Sequence, residues 1–302
     1  GEERFRALAL TASARILEEQ LHDGSWSYPN REWKGRVATV EGIWASVGLL
    51  ASAERTGDER YLSPALRWHR YMVDEIGFQR SGNQLAVNYF AGQTGVRVPN
   101  NSANALRLFA TLADVTGDRE YLAPCAGLIE FLESAQMTTG EFPYAVPGDS
   151  ERGGRVHFQC FQYNAFILLG LMRYLDVAHD AATLSLVRRS LRFLAGAVTE
   201  DGAVRYACGT PYRRVTYHGA AVAAALRRAS LLEPDDGSAA TKAGLALAHV
   251  LDMQQGSGAF AHSVGDYRLL SDRRAYPRYL AMILNHLLQM SDQRADASPL
   301  SD

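Results

Sequence analysis

Two neighbouring side chains, Tyr217 and His218, place a phenol beside an imidazole directly before a stretch of almost pure alanine and valine. Both groups can give or take a proton, and histidine does so near neutral pH. Arg213 and Arg214 stand five and four residues before His218, and a guanidinium binds a carboxylate or a phosphate bidentately. The segment therefore combines proton transfer with anion binding. A buried structural histidine and two solvated loop arginines explain the same residues without a site.

The composition is that of an ordinary globular protein. Of 302 residues, 47% are hydrophobic and 21% are charged, and a formal net charge of −2 does not favour a nucleic acid as partner. The three cysteines stand far apart without a Cys-x-x-Cys pair, which argues against a disulfide framework and indicates a reducing compartment. No segment reaches the roughly 18 apolar residues of a membrane span, and the N-terminal residues lack the order of a signal peptide. We therefore predict a cytoplasmic chain.

A repeated segment indicates how the elements are arranged. Thr56-Gly57-Asp58 recurs 60 residues later as Thr116-Gly117-Asp118, and each copy continues to a tyrosine, a leucine and a proline. Glycine favours the left-handed cap that ends one helix, and aspartate caps the start of the next helix. Each copy therefore predicts the turn of a helical hairpin.

Apolar periodicity extends this hairpin along the whole chain. Five strongly apolar helices are predicted to lie inside, near residues 38–55, 100–115, 159–178, 216–232 and 276–291. Five partners with one polar face are predicted near residues 2–20, 59–76, 118–136, 181–198 and 238–254. We predict an all-α chain of about five hairpins in a single domain over residues 1–291, followed by a disordered tail over residues 292–302.

Four short segments that combine glycine with aromatic residues separate the hairpins, and they include Gly24, Gly140, Gly202 and Gly258. Glycine permits a turn, and the aromatic residues suit a brief extended piece against the helix ends. This unit resembles the repeat of the α/α toroids, which include terpenoid cyclases, protein prenyltransferases, polysaccharide lyases and the helical domain of glucuronyl C5-epimerases. The resemblance covers residues 2 to about 291 and implies a toroid with a central cavity, but it does not imply one chemistry. An open helical solenoid is the alternative arrangement.

In a toroid, the starts of the inner helices face one mouth of the cavity. Besides the four residues named first, the side chains predicted at this mouth are Glu41, Trp44, Asn88, Asn101, Asn104, His157, Tyr163, Asn164, Arg278 and Tyr279. Helix capping, structural amides and core packing explain several of these residues equally well, and both interpretations stay open.

The acidic and metal-binding residues narrow the chemistry. The terpenoid cyclases use an aspartate cluster. In this chain, the pair Asp235-Asp236 precedes a predicted outer helix and does not match that cluster, so terpenoid cyclisation is not favoured. A zinc site similar to that of the prenyltransferases would use Asp201, Cys208 and His218, which have no second thiolate nearby. We therefore predict that the chain binds no metal ion and no other cofactor.

The remaining reaction type among these toroids is proton abstraction from uronates. Glu41-Gly42-Ile43-Trp44 and the segment 163–171 resemble helices of the C5-epimerase helical domain, and Tyr217-His218 is similar to its Tyr-His pair. The resemblance implies an enzyme that abstracts the proton next to a sugar carboxylate, by lyase or epimerase chemistry. Tyr217, Tyr163 and His218 would move the proton, and the arginines and amides would surround the carboxylate. The expected partner is a small molecule or an oligosaccharide, and the alternatives are a terpenoid or prenyl-type enzyme and a glycan-binding or peptide-binding toroid without catalysis.

Overall fold

The chain is mainly helical in its computed structural model, which describes residues 2–29, 31–147, 160–232 and 237–291. The α-helices in these ranges are α1 Glu2–Glu19, α2 Thr39–Thr56, α3 Glu59–Tyr71, α4 Pro99–Thr116, α5 Cys125–Ala135, α6 Cys160–Leu175, α7 Ala181–Ala195, α8 Thr216–Ser230, α9 Gly237–Asp252 and α10 Pro277–Ser291. A π-helical turn, Met72–Ile76, extends α3. No helix in these described ranges is long and apolar enough to cross a membrane.

All ten helices predicted from the periodicity are present, and the largest difference in their ends lies at α5. This helix was predicted from residue 118 but begins at Cys125, after a 3₁₀ turn over Arg119–Leu122. Pro124, which has no N–H to donate, lies between this 3₁₀ turn and α5. The first copy of the repeat differs, since Pro64 lies within α3.

Three antiparallel hairpins were not predicted. They pair β1 Phe78–Ser81 with β2 Gln84–Val87, β3 Arg205–Ala207 with β4 Thr210–Arg214, and β5 Ser263–Asp266 with β6 Leu270–Asp272. Their registers place Phe78 opposite Val87, Arg205 opposite Arg214 and Ser263 opposite Asp272. Strands of three to five residues are too short to show the alternation from which strands are predicted.

The chain divides into two compact units. The first contains residues 1–135, 145–155 and 173–179, and the second contains residues 136–144, 156–172 and 180–302. The single domain over residues 1–291 stays a prediction. The predicted tail over residues 292–302 and the pair Asp235-Asp236 lie outside the described residues.

Within the second unit, the helices divide into a buried and an amphipathic kind, as the periodicity predicted. The segment Ala220–Leu226 of α8 is buried on every side. In α9, the neighbouring helix, only one stripe is buried, and it consists of Ala239, Ala243, Ala246 and Val250. The spacing of this stripe, four, three and four residues, is that of one helix face.

The two Thr-Gly-Asp turns have the same structure, which confirms the repeat. Gly57 ends α2 at φ 70° and Gly117 ends α4 at φ 72°, both in the left-handed region. The carboxylates of Asp58 and Asp118 accept hydrogen bonds from the backbone N–H groups of Arg60 and Glu120. A β-carbon at either glycine would meet no other atom within 4 Å.

We expect Gly57→Ala and Gly117→Ala to lower the free energy of unfolding equally, by about 1 kcal/mol each, because both add only the strain of a left-handed alanine. Urea unfolding of the two single variants measures this cost. Costs that differ by more than their errors would show that the two turns are not equivalent.

The four glycine-aromatic segments also share one turn. The glycines 24, 140, 202 and 258 have φ of 90°, 89°, 79° and 85°. In each turn, the N–H of the glycine donates to the carbonyl of the residue three positions earlier. The N–H of that earlier residue donates to the carbonyl of the residue directly after the glycine. The turns at Gly140 and Gly202 press against the backbone of α7 and α9, at Arg189 and Leu245. These turns therefore attach each loop to the next amphipathic helix of the same unit.

Candidate functional site

A cluster of tyrosines and histidines surrounds the start of α8 in the second unit. The anchor is Thr216, whose backbone N–H donates to the carbonyl of His262 at 2.9 Å. Its hydroxyl donates to the carbonyl of Ala261 at 2.7 Å. These two bonds bring His262 beside Tyr217 and His218, although it lies more than forty residues later in the chain.

Tyr217 lies at the centre of this cluster and is only 6% exposed. Its ring stacks on that of Tyr279 with 4.2 Å between the centroids, and the ring of His262 lies 5.8 Å away. Burial raises the pKa of Tyr217, and the nearby phenols of Tyr279, Tyr206 and Tyr163 and a hydrogen bond with Tyr279 raise it further. Tyr217 is therefore a phenol that keeps its proton at neutral pH.

His218 is fully buried between two aromatic rings. It stacks on Tyr206 with 4.7 Å between the centroids and meets the edge of Tyr217 at the same distance. Neither ring nitrogen has a hydrogen-bond partner among the described residues. Burial lowers the pKa of His218 to about 3, and the nearby Arg213 and His262 lower it further. Burial is therefore the main reason why the ring of His218 is neutral.

The two arginines of the β4 end have different surroundings. Arg214 forms an ion pair with Asp201 at 2.5 Å. Arg213 instead lies over the ring of Tyr206, 3.9 Å from its centroid. No carboxylate of the described chain pairs with Arg213. The cluster therefore contains one arginine whose charge is not neutralised by a neighbouring acid.

His262 and Tyr206 were missed by the sequence analysis. His262 is half-buried, and burial lowers its pKa. A signal for both was present in the repeat, because the position four residues after each loop glycine carries a ring. These positions are occupied by Tyr28, Tyr144, Tyr206 and His262.

The other candidates of the second unit have varied surroundings. Tyr163 packs against Tyr144 with 5.1 Å between the centroids. The amide of Asn164 accepts from the N–H of Phe142 at 2.7 Å and donates to its carbonyl at 3.0 Å, which fastens a glycine-aromatic loop to α6. Arg278 is exposed in the first turn of α10. His157 lies outside the described residues.

Five candidates belong to the first unit. Glu41 is half-buried in the first turn of α2. The ring of Trp44 carries the guanidinium of Arg107 at 4.8 Å. Three buried asparagines complete the set: Asn88 donates to the carbonyl of Ile76, Asn104 donates to Asn100, and the amide nitrogen of Asn101 has no partner in the part of the chain that is described. That these side chains share a mouth with those of the second unit stays a prediction.

No group of three or more histidine, cysteine, aspartate or glutamate side chains in the described ranges is arranged to hold a metal ion. The expectation that the chain needs no metal stays a prediction.

Because His218 is buried in its neutral form, the free energy of unfolding should fall as the pH falls. The unfolded chain binds a proton at His218 near its ordinary pKa of about 6.5, whereas the folded chain resists protonation down to pH of about 3. The contribution of neutral His218 to the free energy of unfolding is therefore complete above pH of about 6.5, and it decreases as the pH falls below that value. We expect the free-energy difference between the wild type and His218→Phe to change by up to about 1.4 kcal/mol per pH unit below pH 6.

Urea unfolding of both proteins between pH 7 and pH 4.5 measures this difference. His22→Phe, which removes an exposed histidine, is the control for losing one imidazole. A constant difference between wild type and His218→Phe across the range would contradict the neutral buried state.

Comparison with known proteins separates the fold from the activity. No family model and no curated protein matches the sequence. Solved structures do match, among them a cellobiose 2-epimerase from Bacillus thermoamylovorans with a TM-score of 0.75 and 9% identity, over 96% of this chain and 84% of that chain. A D-mannose isomerase has a TM-score of 0.71 and 10% identity, over 96% of this chain and 83% of that one. An unsaturated glucuronyl hydrolase from a Bacillus species has a TM-score of 0.67 and 16% identity, over 96% and 81%.

The chain has the α/α-toroid fold. This confirms the fold class that the helix repeat predicted. Several of the matching structures are described as a D-mannose isomerase, as sugar epimerases or as hydrolases of glycans. Because identities of 9% to 16% establish a fold alone, the activity of this toroid has to be argued from its own side chains.

Proposed function

We propose that the chain is an enzyme that removes the proton next to the carboxylate of an acidic sugar, with a lyase or a C5-epimerase outcome. The observation that carries this proposal is the cluster around Tyr217, where a protonated phenol, a neutral imidazole and an arginine without an acidic partner lie together. Each of the three has a part in this reaction.

The first part is the base. The C5–H bond breaks when a base takes its proton, and the electron pair moves into the carboxylate. His262 is suited to this step because burial lowers its pKa, which keeps its ring neutral and able to accept a proton. It is half-buried and therefore less enclosed than His218, which is fully buried. His218 is fully buried and instead positions Tyr217 and Tyr206 through ring contacts.

The second part is the acid. The raised pKa of Tyr217 keeps its phenol protonated, and its hydrogen bond with Tyr279 connects it to a second, less buried phenol. Returning a proton to the opposite face of C5 completes an epimerisation. Giving it to the departing C4 oxygen completes an elimination. Opposite pKa shifts on neighbouring groups are the arrangement that acid-base catalysis needs.

The third part is charge neutralisation. Negative charge grows on the sugar carboxylate as C5 loses its proton, and a fixed cation stabilises that charge. Arg213 is our candidate for this cation, since its guanidinium lies 3.9 Å from the centroid of Tyr206, the ring that stacks on His218. Arg214 is paired with Asp201 and is a weaker candidate.

A second function uses the same proton transfer without the carboxylate. An aldose isomerase or 2-epimerase removes the proton next to a carbonyl, and proteins with these descriptions are among the structural neighbours. The observation that favours this alternative is the presence of two histidines, His218 and His262, with lowered pKa values on two sides of Tyr217. A terpenoid cyclase is less favoured, since the rings in contact with Tyr217 belong to histidines and a tyrosine.

The test is solvent exchange in heavy water, followed by proton NMR on glucuronate-containing and galacturonate-containing disaccharides, with mannose and cellobiose beside them. Loss of the C5 proton signal of a uronate supports the proposal, and an unsaturated product would identify a lyase. Exchange at C2 of a neutral sugar supports the second function, and Arg213→Gln should then have little effect. No exchange with any of the four sugars would overturn both functions.

A further inference from the structure

The strands that lead into the Tyr217 cluster belong to two hairpins that are bonded to each other. The N–H of Tyr267 donates to the carbonyl of Tyr212 at 2.8 Å, and the N–H of Arg214 donates to Asp266 at 2.9 Å. These bonds join β4 of one hairpin to β5 of the other. We call this pair of hairpins, residues 205–214 and 263–272, together with the adjoining Arg273 and Arg274, the hairpin platform.

The platform carries exposed aromatic side chains. Tyr212 is 49% exposed and Tyr267 is 50% exposed, and the guanidinium of Arg268 lies over the ring of Tyr212 at 4.2 Å from its centroid. Leu269 and Leu270 at the tip of the second hairpin are exposed as well. Exposed rings and apolar tips on a folded chain commonly mark a binding surface.

The backbone at this tip is in an unfavourable conformation. Tyr267 and Arg268 have φ of 48° and 69°, in the left-handed region that residues with a β-carbon rarely adopt. Two consecutive residues there direct side chains outward at a cost that asparagine or glycine would avoid. The residues at these positions are therefore not those that would form the turn most easily.

The platform carries a net positive charge, although the net charge of the whole chain is negative. Residues 205–214 and 263–274 contain six arginines and two aspartates, whereas the whole chain has a net charge of −2. Arg214 and Arg274 are ion-paired with Asp201 and Asp272. Within the described residues, the other four arginines, Arg205, Arg213, Arg268 and Arg273, have no carboxylate partner.

We propose that the hairpin platform binds an acidic oligosaccharide, with Tyr212 and Arg268 holding a sugar beyond the two that lie at the Tyr217 cluster. This inference rests on the proposed function only in placing the reacting sugar at the Tyr217 cluster. Tyrosine rings present flat apolar faces to sugars, and arginines bind carboxylates. The cluster and the platform are continuous, because β5 begins directly after His262 and β4 ends just before Thr216 and Tyr217. An acidic glycan that extends from the cluster would thus meet the rings and charges of the platform.

The test measures affinity by calorimetry, without turnover, in a Tyr217→Phe background. The probes are oligogalacturonates and heparosan fragments of two to six sugars, with cello-oligosaccharides of equal length and oligothymidylate as comparisons. We expect the acidic hexamers to bind more tightly than the dimers. Tyr212→Ala and Arg268→Gly should each weaken hexamer binding by about tenfold and leave the dimer unchanged. Arg192→Ala, at an exposed arginine of α7, is the control and should change neither.

A further readout separates a binding role of Arg268 from a structural one. Glycine relieves the left-handed backbone at this position, so Arg268→Gly should keep or raise the thermal midpoint while it weakens hexamer binding. A fall in both would indicate a structural residue and count against the proposal.

Four outcomes would overturn the platform. They are equal affinity for dimer and hexamer, equal affinity for acidic and neutral hexamers, an unchanged affinity in Tyr212→Ala, and tighter binding of oligothymidylate than of any acidic glycan. These outcomes are independent of the exchange experiment. If no proton exchange is seen but the affinity still rises with the length of the acidic oligosaccharide, only the proposed function is rejected. If exchange is seen but the affinity does not depend on length, only the platform is rejected.

Discussion

Tyr217→Phe is expected to lower the rate of proton exchange at C5 of a uronate by about 100-fold or more. The change removes the hydroxyl that we propose as the proton donor and keeps the ring that stacks on Tyr279. Because only one hydrogen bond is lost, the free energy of unfolding should fall by about 1 kcal/mol. Exchange rates from NMR and urea unfolding on the same preparation separate the two effects.

Tyr121→Phe is the matched control for this experiment, since Tyr121 is a half-buried phenol of the first unit, outside both the cluster and the platform. Exchange on a disaccharide should be unchanged in this variant. If Tyr217→Phe instead retains full exchange and only melts at a lower temperature, Tyr217 is a packing residue and the proposed acid is wrong.

The glycine-aromatic turns should give the largest losses of stability. An alanine β-carbon at Gly140 or Gly202 would lie 2.3 Å from the backbone oxygen of Arg189 or Leu245, respectively, so the loop would have to separate from its helix. We expect Gly140→Ala and Gly202→Ala to lower the free energy of unfolding by about 2–4 kcal/mol each, from overpacking and left-handed strain together.

Gly258→Ala separates these two contributions. Gly258 has a φ of 85° like the others, but a β-carbon there would meet no atom within 4 Å. Its cost should stay near about 1 kcal/mol, the strain alone. Urea unfolding of the three variants measures both values. A cost at Gly202 that equals the cost at Gly258 would mean that the contact with α9 contributes nothing to stability.

The sequence by itself determined the helices and the order in which they repeat. Apolar periodicity over 11 to 18 residues reports which face of a helix is buried, because a helix keeps the same face inward along its length. The turns at Gly57 and Gly117 were determined for a similar reason, since caps act through bonds between residues near in sequence. These signals are local, so they needed no knowledge of the rest of the chain.

The sequence predicted the candidate site only in part. Tyr217, His218 and Arg213 were singled out because their types are unusual at the start of an apolar helix, and the structure places them close together. His262 was missed although the repeat contained its signal, since it is the histidine among four ring residues at the same offset from a loop glycine.

Only the tertiary structure decided the protonation states of the site and which of the two arginines forms an ion pair. The sequence neighbours of His218 do not by themselves set its pKa to about 3, because that value comes mainly from full burial in the folded chain. Arg214 pairs with Asp201, and Arg213 does not pair, because β4 lies beside a loop thirteen residues earlier. Burial and charge depend on distance in space, and the pairing of short strands such as β3 with β4 sets those distances.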